Sequence, residues 1–170
     1  MSAISTPQVG TRYGMKGPRA AEWLAQQGIA VPASPNSIAS WSSAGGGRCL
    51  RLGNTEFLIE YDGGFSPPAQ PAHDGAWLLL RSDASLLLDD ATWPHALAQV
   101  CSFDFRRFHD EPDRVVMTLL AGISVTLVRE PRAGNTHLAL RLWCDASYET
   151  YLQHCLQHLA RPDPSPGEPR

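Results

Sequence analysis

The sequence is short of charge, of paired cysteines and of long apolar runs, and each shortage excludes a class of protein. Of its 170 residues, 18% are charged, against the roughly 25% usual in soluble chains. The 14 Lys and Arg against 17 Asp and Glu leave a net charge of −3 with His neutral. Binders of nucleic acid or anionic membranes carry clustered Lys and Arg to meet phosphate. No such cluster is present, so neither is an expected partner. The four cysteines, Cys49, Cys101, Cys144 and Cys155, are widely spaced and no two form a C-x-x-C pair, which fits a cytoplasmic protein with reduced thiols. The longest uncharged apolar stretch, residues 115–128, is broken by Thr118, Gly122, Ser124 and Thr126 and is too short for a membrane helix of about 20 residues. The opening MSAISTPQVGTRYG has neither a basic segment nor an apolar run, so no secretory signal is expected. With 14 glycines and 14 prolines, the chain lies below the roughly 25–30% that marks low-complexity sequence. What remains is one compact domain or two small fused units. A surface poor in charge suits a chain that larger partners cover.

Turn formers divide the chain. DGGFSPPAQPAHDG at residues 62–75 separates two halves. In the first, residues 13–16 read as a strand, and Gly17-Pro18 opens a helix with Ala20, Ala21, Trp23 and Leu24 on one face, stopped at Gly28. Residues 48–52 and 56–61 then form a hairpin around Gly53-Asn54-Thr55. In the second half, residues 84–89 read as a strand, and Thr92 caps a helix carrying Trp93, Leu97, Val100 and Cys101. Strands follow at 115–120, 123–128 and 138–143. A final helix after Asp145 lines up Tyr148, Tyr151, Leu152, Cys155, Leu156 and Leu159 at helical spacing. The order repeats, with Gly53 and Gly122 as equivalent hairpin turns, so the expected fold is α+β. Two duplicated β-α-β-β units with mostly antiparallel sheets share one body. Residues 1–61 form the first unit, 62–75 a Pro/Gly-rich linker, and 76–160 the second unit with its C-terminal helix. Residues 161–170, RPDPSPGEPR, are a tail with little to bury and are expected to be mobile.

Candidate chemistry is sparse. His154 and His158 have the i, i+4 spacing of metal-binding imidazoles, but no H-E-x-x-H and no third ligand accompany them, so structural or solvent-facing roles are expected and no metal. Cys101 and Cys155 fall on apolar helix faces and read as small buried hydrophobes, and Cys144 has no readable activating neighbour. The loop DFRRFHDEPDR at residues 104–114 concentrates arginines and acids. Arg106 and Arg107 there could fork onto a folate glutamate tail or a partner's acidic surface, or be neutralised within the loop. Phosphate-binding glycine loops, serine elbows and paired-carboxylate motifs are all missing, so no catalytic residue is assigned. Gly45-Gly46-Gly47 reads as a flexible turn. Trp23, Trp93 and Trp143 belong to elements and to the core. Trp41 and Trp77 lie near loop margins, where an exposed ring would anchor a protein interface, although burial is the commoner outcome for each.

Five stretches occur in the order found in the gamma subunit of bacterial heterotetrameric sarcosine oxidase. They are YGMKGPRAAEWL (13–24), RLGNTEFLIE (51–60), SDASLLL (82–88), CSFDF (101–105) and RLWCDASYETYL (141–152). The chain resembles that family, itself similar to the folate-binding fold of the glycine-cleavage aminomethyltransferase. The resemblance implies a complex that oxidatively demethylates sarcosine to glycine and passes the one-carbon unit to tetrahydrofolate. FAD, FMN, NAD and tetrahydrofolate would then belong to the larger alpha and beta flavoprotein subunits, beside a small delta subunit. The gamma chain would bind no cofactor alone and would not be an enzyme by itself. The Y-T-G-E-x-G-x-E stretch of the aminomethyltransferases is replaced by RLGNTEFLIE, so Glu56 is not carried over as a folate ligand. A stand-alone folate-binding, aminomethyltransferase-like protein is the alternative that the same resemblance allows.

Overall fold

The computed structural model describes residues 3–7, 11–42, 46–62, 75–89, 93–130 and 139–160. Its strands are β1 (Ala3–Ser5), β2 (Arg12–Lys16), β3 (Ser37–Trp41), β4 (Gly47–Arg51), β5 (Glu56–Tyr61), β6 (Trp77–Arg81), β7 (Ala84–Asp89), β8 (Val115–Leu120), β9 (Ile123–Glu130) and β10 (Ala139–Cys144). The helices are α1 (Ala20–Gln26), α2 (Trp93–Leu97), α3 (Arg107–Asp110) and α4 (Glu149–Leu159), the last entered through a 3-10 turn at Ala146–Tyr148. Thr92, Leu138, most of the linker at 63–74 and the tail at 161–170 lie outside the described residues.

The strands make two antiparallel five-stranded sheets, ordered β3-β4-β5-β2-β6 and β8-β9-β10-β7-β1. The fold is therefore α+β. Side-chain alternation along each strand explains the layering. On β5, Phe57, Ile59 and Tyr61 join Trp23 and Leu24 of α1 in one core. On β10, Leu140, Leu142 and Cys144 face Trp93, Leu97, Phe108, Leu152 and Leu156 of the other helices. The opposite faces of the two strands meet each other: Leu50 and Leu58 of the first sheet pack on Val115, Val128 and Trp143 of the second. The layers run helix, sheet, sheet, helices, and β5 and β10, sandwiched on both faces, are buried almost throughout.

The duplication is visible in the matching orders β3-β4-β5-β2 and β8-β9-β10-β7, with a shifted correspondence. The turn at Gly122 joins β8 to β9 and so corresponds to the β3–β4 connection, whereas Gly53 lies between β4 and β5, the counterpart of the β9–β10 connection. The offset arises from β3, which the Pro/Ser-rich segment before it hides in the sequence. The linker, moreover, does not separate the sheets. Trp77–Arg81 is the edge of the first sheet, and Ala3–Ser5 is the edge of the second. The helix expected to run from Trp93 through Cys101 stops at Leu97. Gln99 and Val100 tighten to i−3 bonds, and the Val100 carbonyl is drawn to the Ala121 N–H at 3.0 Å.

Gly17, with φ +125°, is where β2 passes into α1, and a Cβ there would stand 2.2 Å from the Gly75 carbonyl oxygen. Only glycine fits so close an approach. Gly17→Ala is expected to cost about 2–3 kcal/mol, seen as a lower urea midpoint at unchanged slope. A wild-type midpoint would show that the contact between residues 17 and 75 is dispensable.

Candidate functional site

Two charged residues lie on strand faces where only apolar ones are expected. Glu60 of β5 is fully buried between the sheets, and Arg141 of β10 is nearly so. Glu60 Oε1 accepts from Arg141 Nη1 at 2.7 Å, and Oε2 accepts from Arg12 Nε at 2.8 Å and Trp143 Nε1 at 2.9 Å. Arg48 Nε of β4 stands 3.6 Å from Oε1, and the same guanidinium binds Glu130 of β9 at 2.7 Å. Arg12 also donates to the Asp83 carbonyl. Burial pulls the Arg141 guanidinium below its ordinary pKa, and the Coulomb attraction of Glu60 opposes that shift. One carboxylate thus gathers β2, β4 and β10 around β5 and ties the sheets together. The signal in the sequence was a charge on the face of a strand whose neighbours all demand burial, as in EFLIEY and ALRLWC. It was missed because burial on both faces is not visible until the strands are stacked.

Beside this cluster an open groove of about 700 Å³ lies over the inward face of the second sheet. Its floor is a cross-strand row, Met117 opposite Thr126 opposite Trp143. One wall is the Arg81–Asp83 pair, whose bidentate contacts measure 2.8 and 2.7 Å. Cys144 also lines it, but its thiol is pushed up to about 11, first by burial and then by Glu149, Asp145 and Asp83. Burial likewise raises Cys49 to about 12 and Tyr61 to about 12. Thiols held protonated are poor nucleophiles. A second groove of about 590 Å³ includes Ile38, Arg48 and Arg129 in its lining.

The residues singled out in the sequence are not brought together. Arg106, with an 88% exposed side chain, forks onto Asp104 at 2.9 Å through both contacts, and holds that carboxyl below its usual range. Arg107 pairs with Glu111 at 3.5 Å. Neither lines a groove described above. His154 and His158 are exposed, and the His158 ring meets the His154 carbonyl at 2.8 Å. Among the described residues no group of three His, Cys, Asp or Glu could hold a metal, and no helix is long and apolar enough to cross a membrane. Trp23, Trp93 and Trp143 are buried, and Trp41 packs edge-on against Tyr61 at 5.5 Å. Trp77 departs from the expectation of burial and stands 56% exposed on the edge strand β6.

No family model matches the sequence, and no curated protein matches it. Among solved structures, the chain is similar to one in the heterotetrameric sarcosine oxidase from Corynebacterium sp. U-96 in complex with pyrrole 2-carboxylate. The TM-score is 0.67 and the identity 20%, and the match covers 91% of this chain and 83% of that chain. The two share a fold along nearly their whole length.

Removing the carboxylate would leave the buried Arg141 guanidinium without its ion partner and take one partner from the part-buried Arg12 and Arg48. Glu60→Ala is expected to destabilise the protein by about 3–5 kcal/mol in chemical denaturation, and a loss under 1 kcal/mol would show that Glu60 does not tie the sheets. For the thiols, the unfolded chain ionises near 9.0, whereas folded Cys144 and Cys49 wait until about 11 and about 12. Above pH 9.0 the unfolded state therefore binds fewer protons, and stability must fall as pH rises through that window. Cys49→Ala/Cys144→Ala is expected to flatten the fall in urea midpoints measured between pH 8 and about 11.

Proposed function

We propose that this chain is a gamma-type, non-catalytic subunit of a bacterial sarcosine oxidase complex. The observation that carries the proposal is the shared fold over 91% of this chain with a component of a heterotetrameric oxidase. Coverage of 83% on the other side makes that component only slightly longer than this chain. The ordered stretches from YGMKGPRAAEWL to RLWCDASYETYL support the same reading independently. The chemistry supports it too. The thiols of Cys49 and Cys144 are held protonated, Arg106 and Arg107 are committed to their own acids, and the buried charges hold sheets together. In this proposal the complex demethylates sarcosine oxidatively to glycine and transfers the one-carbon unit to tetrahydrofolate. FAD, FMN, NAD and tetrahydrofolate are held by the alpha and beta subunits, a small delta subunit completes the assembly, and all of it works in the cytoplasm. A stand-alone folate-binding protein is less favoured, because the loop at 104–114 offers no uncommitted arginine fork.

The tagged chain, co-expressed with the alpha, beta and delta subunits of its own source, is expected to purify with them as one flavin-bearing particle. Titration of the isolated chain with tetrahydrofolate is expected to give no binding heat. A stable monomer that leaves the flavoprotein subunits behind, together with folate heat abolished by Arg106→Ala and Arg107→Ala, would replace the proposal with the folate-binding one.

A further inference from the structure

The turn between β8 and β9 has two residues, Ala121 at φ 49° and Gly122 at φ 82°, the backbone of a tight hairpin that makes its flanking residues a hydrogen-bonded pair. Leu120 and Ile123 are that pair, and pairing alternates along an antiparallel ladder. Val116 and Thr118 therefore bond to β9, while Val115, Met117 and Leu119 aim their N–H and C=O groups away from the sheet. At one end this outer edge is occupied. The Val115 N–H donates to the Asn36 carbonyl at 2.8 Å, the Ile38 N–H donates to the Asp113 carbonyl at 2.9 Å, and Ser37 bridges Arg114. Beyond Val115, among the described residues, no hydrogen bond meets the outward groups of Met117 or Leu119. Their side chains are 52% and 58% exposed.

Edge strands left open in solution are usually guarded by charge, proline or a bulge. The strand VVMTLL has no charge and no proline, and its pairing with β9 runs one-to-one without a bulge. The adjoining groove adds a net negative charge, because Arg81 and Asp83 offset each other and Asp145 is left over. Among the described residues, Asp83 and Asp145 line it and Glu149 acts on Cys144 from beside it, while the one lining cation, Arg81, is forked onto Asp83. An occupant of this place needs backbone groups in extended form, apolar side chains at alternate positions and a basic group toward Asp145.

We infer that the edge Met117–Leu119 accepts an extended, apolar and basic segment of one of the large oxidase subunits as a sixth strand of the second sheet. The inference rests on the subunit reading above and adds the surface through which it is realised. Unpaired backbone groups supply the attraction, and the row Met117–Thr126–Trp143 supplies the floor for the incoming side chains.

The test uses the full chain co-expressed with the alpha and beta subunits. In the purified complex, the Met117 and Leu119 amides should exchange with deuterium at least tenfold more slowly than in the free chain. Met117→Pro, which deletes an outward N–H at an edge where proline is tolerated, and Leu119→Lys, which sets a like charge against the basic segment, should each lower retention of the partners at least tenfold. Both variants should keep the wild-type circular dichroism and urea midpoint. If Met117→Pro misfolds, Leu119→Lys and the exchange rates decide. A complex that forms with wild-type affinity in the variants and leaves both amides unprotected would overturn this inference while sparing the subunit reading. Failure of the wild-type chain to form any complex would overturn both. A concentration-dependent dimer lost in the variants would overturn the assignment to a partner subunit in favour of a second copy of this chain.

Discussion

The carboxylate of Glu60 is the contact on which the arrangement of the two sheets depends. Two apolar sheet faces attract one another over any overlap that excludes water, and attraction of that kind sets distance better than register. A fully buried carboxylate is different, because its desolvation is offset only where charged donors reach it in good geometry. Arg12, Arg141 and the Trp143 indole do so from three directions, and Arg48 extends the network to Glu130. Sliding either sheet by one residue would carry Glu60 of the first sheet out of reach of Arg141 and Trp143 of the second and leave buried charge without its partner. The pair therefore specifies one stacking out of many.

The same two strands explain why the grooves fall where they do. β5 and β10 are equivalent in the duplication and stack at the centre, so the sheets overlap most fully there. The twist of a sheet carries its outer strands away from that overlap. At the β8 side, the inward face of the second sheet emerges from cover beyond Val115, which is why Met117 and Leu119 are exposed though they share a face with buried Val115. Solvent-facing apolar surface is thus a geometric result of duplication joined to a crossing of sheets.

Much of this was legible beforehand, for reasons that differ by element. Strands β5, β7 and β8 are runs of branched and aromatic residues bounded by turn formers, and α4 shows helical spacing at Leu152 and Leu156, so periodicity located them. The edge strands β1, β3 and β6 were not found, because an edge strand in AIS or SIASW buries too little to show a pattern. In WLLLR, by contrast, the apolar run continues across both faces and mimics a buried segment. The helix at Trp93 was read too long because Val100 and Cys101 fit its spacing, while the contact that ends it comes from Ala121, distant in sequence. The ion cluster was invisible for the same reason. Its members lie at positions 12, 48, 60, 130 and 141, and only the stacking of sheets brings them together. The loop at 104–114 drew attention as a concentration of charge, and its arginines satisfy nearby acids.

The exchanged edges have a consequence for how the chain comes to be folded. Ala3–Ser5 pairs with Leu87–Asp89, and β7 in turn leans on β10, about 50 residues further along. A chain emerging from the ribosome can assemble β2 to β5 around α1 early, but β1 has no sheet to join until β7 and β10 have been synthesised. Such distant pairing carries a large loop-closure entropy and slows folding. Ala3–Ser5 is therefore among the last segments to be placed, and acts as a latch that closes on a second sheet already formed.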